Sequence, residues 1–478
     1  MHLMQSPTKE VMTRVNSIRP RIQQNAVGLL NRFFTGTSMD YKQIIAIIIP
    51  IFVDQGFIVL MSLLNTAMIS SSGVAAVSAV SMVDSLNIFL INVFVAVATG
   101  GTVIVAQYKG SGNQQMVSKA ATQALSAVAI LSVLISVLVI IFHTPTLNLL
   151  FGKAEADVFQ NARLYLIGSC ITYPFIAIFQ AVNGVLRGVA ETKASLNLSL
   201  IMNITFLILN VLLITLLDLG VIGLIISMLL ARILGMVSSL VYLLKYNQTL
   251  RVKLKNTLKL DFSIQKKIMF IGIPFAAEQM FFNGGKLLTQ TFIVQLGTLA
   301  MTANAISGPI SQLLQIGGSA LSISIVTVVG QCIGQRNIPD ARKFIKSFLG
   351  LSTVIFIVAS IILLPFFPFI VRMFSPPAEI IPTIFKLTML IAIAQPFLWS
   401  FSFVLPAALR AAGDSNFTSV SSLLSMWLFR VILGYVLGIT LGFGIMGVWV
   451  AMVAEWGIRG LVFAWRFKGE KWYAHKLI

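Results

Sequence analysis

Apolar runs of about twenty residues recur along the whole chain, each long enough to cross about 30 Å of hydrocarbon as a helix. The breaks between them are short and hold most of the lysines and arginines. The pattern predicts twelve spans, at roughly residues 43–68, 76–106, 119–142, 164–186, 195–217, 219–244, 268–292, 300–332, 343–370, 384–408, 418–440 and 443–466. The second, eighth and ninth are longer than a span needs, which predicts tilt or extension beyond the bilayer. What lies outside the spans is a basic lead-in (1–42), a basic linker (245–267) and a tail (467–478). The predicted fold class is an all-α polytopic membrane protein. Its two six-helix lobes are residues 43–244 and 268–466.

Composition agrees. Of 478 residues, 57% are hydrophobic and 10% charged, where soluble domains carry about 25% charged residues. Cys170 and Cys332 both lie in apolar stretches, so neither a disulfide framework nor a metal cluster is expected. None of His2, His143 and His475 lies deep in a span, which argues against a histidine proton relay. The lead-in has no apolar core before a cleavage site and does not read as a signal peptide. Val11, Val15 and Ile18 recur at helical spacing, predicting an interfacial helix, with an unstructured tail as the alternative.

Charge gives orientation. With both termini on the cytoplasmic side, the internal segments hold 26 Lys and Arg and the external ones hold four: Lys153, Arg163, Arg372 and Lys386. Basic loops are retained inside. The net charge of +19 then faces anionic lipid and needs no nucleic acid. The expected location is the plasma (inner) membrane, multi-pass, and the expected state a monomer in contact with lipid and a small organic substrate.

The chain is duplicated. Shifting it by 224 residues aligns Lys42–Asn113 with Lys266–Asn337 without a gap, with 19 identities in 72 positions. Pro50 meets Pro274, Gln55 meets Gln279 and Gly73 meets Gly297. Gln107, Gly110 and Asn113 meet Gln331, Gly334 and Asn337. Further on, with the shift changed by one, Leu186-Arg187 meets Leu409-Arg410 and Glu191 meets Asp414. Six spans per half is an even number, so the halves insert alike. They are parallel repeats, related by an axis along the membrane normal, and such folds bind substrate between the halves.

The acids inside predicted spans are Asp54, Asp84, Glu278 and Glu455, and intramembrane ionisable groups mark function by default. Asp54 and Glu278 are matched across the repeat, each four residues after a proline and followed by Gln55 or Gln279. Each lies about ten residues into its span, or about 15 Å, which predicts two carboxylates at mid-membrane. Such a group can take up a proton or bind a cation, and either property couples transport to an ion gradient. The alternative is a structural ion pair, with Lys286, two turns beyond Glu278, able to neutralise either acid. Asp84 has Gly308 as its repeat partner, so symmetry gives it no support. Glu455 and Arg459 are spaced for a structural pair on one helix. Arg187 and Arg410, each with an acid four residues on, read as loop-fixing pairs with Glu191 and Asp414.

Segments along residues 43–468 resemble the multidrug and toxic compound extrusion family. They are Gly-Gly-Thr-Val-Ile-Val-Ala-Gln-Tyr-Lys-Gly (100–110), Gly-Val-Leu-Arg-Gly-Val-Ala-Glu-Thr-Lys (184–193) and Gly-Ile-Pro (272–274) in one group. Val-Gly-Gln-Cys-Ile-Gly (329–334), Ala-Arg-Lys (341–343) and Leu-Arg-Ala-Ala-Gly-Asp (409–414) complete the set. The resemblance implies twelve helices in two lobes and antiport of Na+ or H+ against organic, often cationic, drugs. Where many members have an aspartate near the outer end of span one, this chain has Asn65. Where members have one on span five, it has Asn210. An amide can coordinate Na+ but exchanges no proton near neutral pH. The departures shift coupling toward Asp54 and Glu278. The resulting expectation is an alternating-access exporter of amphiphilic, cationic compounds, coupled to H+ or Na+ and needing no other cofactor. Its ion-coupling and substrate residues would be Asp54, Glu278, Gln55, Gln279, Asn65, Asn210, Asp84 and Lys286. H+ is favoured over Na+, because no cage of several anionic oxygens is visible. The alternative on the same fold is a flippase for a lipid-linked sugar or other lipid, whose anionic substrate would need basic residues in the cleft. An enzyme is not expected, since no nucleophile–base set, metal motif or phosphate loop is present.

Overall fold

Among the described residues, twelve long helices carry the apolar runs. They are α1 (Tyr41–Ile69), α2 (Val74–Gly110), α3 (Gln114–Ile141), α4 (Ala156–Gly188), α5 (Thr192–Leu216) and α6 (Gly220–Tyr246) in the first half. The second half holds α7 (Phe262–Gln295), α8 (Thr298–Gly334), α9 (Ile338–Met373), α10 (Ala378–Ala411), α11 (Ser415–Thr440) and α12 (Gly444–Lys468). This computed structural model describes residues 27–69, 74–151, 156–252, 259–374 and 376–478. The expected interfacial helix around Val11, Val15 and Ile18 lies outside the described residues. Eleven of the helices are long and apolar enough to cross a membrane. The other, α7, has its apolar pattern diluted by Glu278, Gln279, Asn283, Lys286 and Gln290. Helices α5, α6, α10 and α11 each contain π-helical turns.

The sequence pattern places the elements and misses some of their ends. Helix α9 begins at Ile338, five residues before the predicted span, because Asn337 caps it by accepting from the Asp340 amide at 3.1 Å. Its repeat partner Asn113 caps α3 in the same way, on the Met116 amide at 3.1 Å. Capping therefore explains that matched pair of asparagines. A short helix, His143–Phe151, follows α3 and was not expected.

Two prolines sit inside matched helices, Pro50 in α1 and Pro274 in α7. Proline leaves the carbonyl four residues earlier without its helical donor. In α1 that carbonyl is Ala46 O, and Thr192 Oγ1 donates to it at 3.1 Å from the start of α5. Near Pro274, Ser415 Oγ donates to Ile271 O at 2.9 Å from the start of α11. One hydroxyl thus ties the first helix of each half to the fifth.

The lobes meet and close one end of the bundle where the last turns of α2 and α8 cross. A Cβ on Gly110 would lie 2.0 Å from Gln331 O, and one on Gly334 would lie 1.9 Å from Gln107 O. Only glycine permits so close an approach of two backbones. The same residues bond across the lobes. Gln107 Nε2 donates to Ala411 O at 2.8 Å, and Gln331 Nε2 donates to Gly188 O at 3.0 Å.

The segments that lead into α1 and α7 also cross over. The stretch before α1 docks on α9: Thr37 Oγ1 and the Ser38 amide donate to Asp340 Oδ2 at 3.0 and 2.7 Å, and Ser347 Oγ donates to Phe33 O at 2.6 Å. Phe34 is buried edge-on against Phe348. The stretch before α7 docks on α3, where Lys119 pairs with Asp261 at 2.5 Å and Gln123 Nε2 donates to Lys259 O at 2.7 Å. Asp340→Ala removes the acceptor of the first docked segment. Lost bonds of this kind cost about 1–3 kcal/mol, so proteolysis between Gly36 and Tyr41 is expected to quicken about tenfold or more. Unchanged cleavage would show that Phe34 packing alone holds the segment.

The tail is packed rather than free. Trp472 is fully buried, and the Arg342 guanidinium lies 5.7 Å from its ring. Arg342 also donates to Phe467 O and Gly469 O at 3.2 and 2.7 Å.

Candidate functional site

The repeat-matched acids carry repeat-matched partners. Asp54 on α1 pairs with Arg187 from the last turn of α4 at 3.0 Å, and Glu278 on α7 pairs with Arg410 from the last turn of α10 at 3.1 Å. Each pair has a serine from the next helix. Arg187 Nε donates to Ser195 Oγ at 3.2 Å, and Ser419 Oγ donates to Glu278 Oε2 at 3.0 Å. Both acids are buried, at 2% and 8% exposure. The expectation that Lys286 neutralises one of them is corrected, because eight residues along a helix is about 12 Å. The loop-fixing roles of Arg187 and Arg410 are corrected too. Helical side chains lean toward the N-terminus of their own helix, so a last-turn arginine reaches back into the bundle. Glu191 instead takes bonds from Tyr242 and Asn247. Asp414 takes Arg466 at 2.6 Å and faces His475 at 3.4 Å.

Arg187 and Arg410 together wall a cavity of about 200 Å³ between the lobes. Thr99, Thr102 and Gln180 line it from one lobe, and Phe275 and Ser322 from the other. The Arg410 guanidinium sits 4.2 Å from the Phe275 ring. The backbone beside each arginine is held by the opposite lobe, through Gln331 to Gly188 O and Gln107 to Ala411 O. Thr327 Oγ1 adds a bond to Arg187 O at 2.8 Å.

A second cavity, of about 440 Å³, lies in the C-terminal lobe, farther along α8 from its crossing with α2. Helix α8 walls both cavities, the first through Ser322–Val326 and the second through Asn304–Gln315. Lys286 and Arg430 face the larger one, with Trp399, Trp449 and Trp456. Behind them Glu455 pairs with Arg459 at 2.9 Å, as its spacing suggested, and with Arg430 at 3.8 Å.

In the first lobe a hydrogen-bonded group stands at the matching positions. Asp84 accepts from Tyr165 Oη at 2.8 Å and from Asn87 Nδ2 at 3.2 Å. Asn87 accepts in turn from Tyr173 Oη at 2.7 Å, and Arg232 closes the group by donating to Thr172 Oγ1. The 224-residue shift places Gly308 opposite Asp84 and Ser311 opposite Asn87, and both of those smaller residues line the open cavity.

The halves just described match one family profile twice. The MatE profile aligns with residues 50–213 and again with 274–436. The chain belongs to the MatE family of multidrug efflux transporters. The first match begins at Pro50 and the second at Pro274, so the duplication is that of the family fold. The chain is 28% identical over 434 residues to the uncharacterized transporter YisQ of Bacillus subtilis, covering 88% of this chain and 93% of that one. It is 23% identical over 441 residues to a probable multidrug resistance protein NorM of Thermotoga maritima, covering 90% and 93%. Its fold matches that of an outward-facing MATE transporter of the MOP superfamily with a TM-score of 0.81 at 18% identity, covering 89% and 96%. MATE members are transporters, not enzymes.

Within this MATE fold the other predicted residues scatter. Gln55 and Gln279 are half-buried beside their acids, and neither lines the two cavities. Asn210 is buried on α5. The side chain of Asn65 lies outside the described residues. Asp84 belongs to the hydrogen-bonded group of the first lobe and Lys286 to the cavity of the second. Sequence reasoning missed Arg187 and Arg410 as partners of the acids, although both stand in the duplicated segment and could have been found there.

Proposed function

We propose that this MATE transporter is a secondary active antiporter that exports amphiphilic organic compounds by alternating access in exchange for H+. The distribution of Lys and Arg supports a plasma (inner) membrane location with both termini cytoplasmic, and a monomer suffices for the cycle. One observation carries the reading: each lobe has a buried acid–arginine pair whose arginine faces the inter-lobe cavity and whose neighbouring carbonyl is held by the other lobe. Protonating Asp54 or Glu278 removes the charge that holds its arginine. The last turn of α4 or α10 is then less constrained, and so is its bond across the lobes. A proton and a substrate that favour opposite facings exchange without ever touching. Na+ fits less well, because both carboxylates are already engaged by arginine. That engagement also weakens the expectation of a cationic substrate.

The test is transport of a fluorescent amphiphile in proteoliposomes, with pH and Na+ gradients imposed separately. A pH gradient is expected to drive movement in the native protein, and Glu278→Gln is expected to lose that component while remaining folded. Movement driven only by Na+ would overturn H+ coupling. A second reading, a lipid flippase, is favoured by the basic residues of the C-lobe cavity. It predicts lipid translocation that ignores both gradients.

A further inference from the structure

We infer that the C-lobe cavity binds the anionic headgroup of an amphiphile, a carboxylate or phosphate, with its apolar body laid against the tryptophans. The inference deepens the transporter reading and rests on it only for the assumption that the cavity meets substrate.

The charge count comes first. Lys286, Arg430 and Arg459 stand in or directly behind the cavity, against one carboxylate, Glu455. Glu455 is taken, in closest contact with Arg459 at 2.9 Å, while Arg430 stands off at 3.8 Å. Two cations are therefore left facing an open volume.

The hydrogen-bond inventory points the same way. Lys286 makes no hydrogen bond or salt bridge among the described residues; its ammonium rests 4.7 Å from the Phe282 ring. Arg430 Nε is buried without a hydrogen-bond partner, and so is Trp456 Nε1. Trp456 is 2% exposed and lines the cavity. Lysine, arginine and indole groups are donors only. The unmet buried groups that line the cavity are donors, which makes it complementary to an acceptor, and a charged acceptor bonds most strongly. Burial leaves such donors costly until one arrives.

The walls set the rest of the ligand. Trp399 stacks on Phe403 at 4.5 Å between centroids, and both line the cavity with Trp449. A volume of about 440 Å³ suits a small aromatic or short-chain body. The cations themselves oppose a ligand cation: a positive headgroup would face Lys286 and Arg430 with the nearest carboxylate already paired.

The experiment is equilibrium binding to the full chain in nanodiscs without any gradient, read by quenching of tryptophan fluorescence. The probes are naphthyl phosphate, naphthylacetate (the carboxylate of naphthylacetic acid) and naphthyl trimethylammonium, which share one aromatic body. A fluorescent phospholipid with a phosphate-monoester headgroup forms a separate arm. Both anions are expected to bind at least tenfold more tightly than the cation. Lys286→Met and Arg430→Met are each expected to weaken anion binding about tenfold or more while leaving Glu455 paired with Arg459. Lys286→Glu is expected to reverse the preference. Equal or tighter binding of the cation by the native protein, or anion binding unmoved in folded Lys286→Met and Arg430→Met, overturns the inference. If soluble anions bind and the lipid does not, the ligand is a free amphiphile. If the lipid alone binds, the same headgroup chemistry belongs to a lipid. Because no gradient is applied, failure of H+ coupling in the transport assay leaves this result independent.

Discussion

Glu278→Ala is expected to destabilise the protein by about 3–5 kcal/mol, the cost of stranding one member of a buried ion pair. Arg410 is only 7% exposed and has no second carboxylate at hand among the described residues. Its cation–π contact with Phe275 contributes about 0.5–2 kcal/mol and cannot replace the lost charge. The double variant Glu278→Leu with Arg410→Met is expected to recover most of that loss, since apolar replacement of a whole buried pair is often neutral or stabilising. The readouts are thermal unfolding in detergent and pH-driven transport. Recovered stability with lost pH response would assign the pair to coupling. Recovered stability with full transport would make the pair purely structural. The same scheme applied to Asp54 and Arg187 is expected to give the same pattern, because their geometry repeats it.

The second large effect is expected at the crossing of α2 and α8. Gly334→Ala puts a methyl group 1.9 Å from Gln107 O, where ordinary carbon contacts begin near 3.5 Å. The helices must part by about 1.5 Å or more to accept it, and the bonds from Gln107 and Gln331 lengthen with them. Spin labels on the ends of α2 and α8 are expected to report a wider distance, and transport is expected to be lost. Gly284→Ala is the control, since its Cβ would meet nothing within 4 Å. An unchanged distance in Gly334→Ala would mean that the crossing slides rather than opens.

Much of this fold was legible in the sequence, and the reason is physical. Spans are continuous apolar runs, and a duplication repeats their spacing, so helix number and the pairing of halves follow from counting. What the acids touch did not follow. Arg187 with Glu191 has the spacing of a local helical pair, and only the helix end between them sends one side chain inward and the other outward. Lys286 was read toward Glu278 because both lie on one face, while the cavity that claims Lys286 is completed by helices that come later in the chain, as far as Trp456. The emptiness of the second lobe was written in Gly308 and Ser311, but small residues announce a void only once the helices around them are placed.

The two crossed-over segments have a mechanical consequence. The stretch before α1 is continuous with the first lobe yet anchored on α9, and the stretch before α7 is continuous with the second lobe yet anchored on α3. They form a pair of opposed straps across the closed end. A swing that parts the lobes there draws both taut together, so neither lobe can travel farther than its strap allows. If the lobes rock as proposed, the contacts of these segments at Asp340, Phe34 and Lys119 limit the amplitude. Loosening either strap would lengthen the stroke without altering anything that binds.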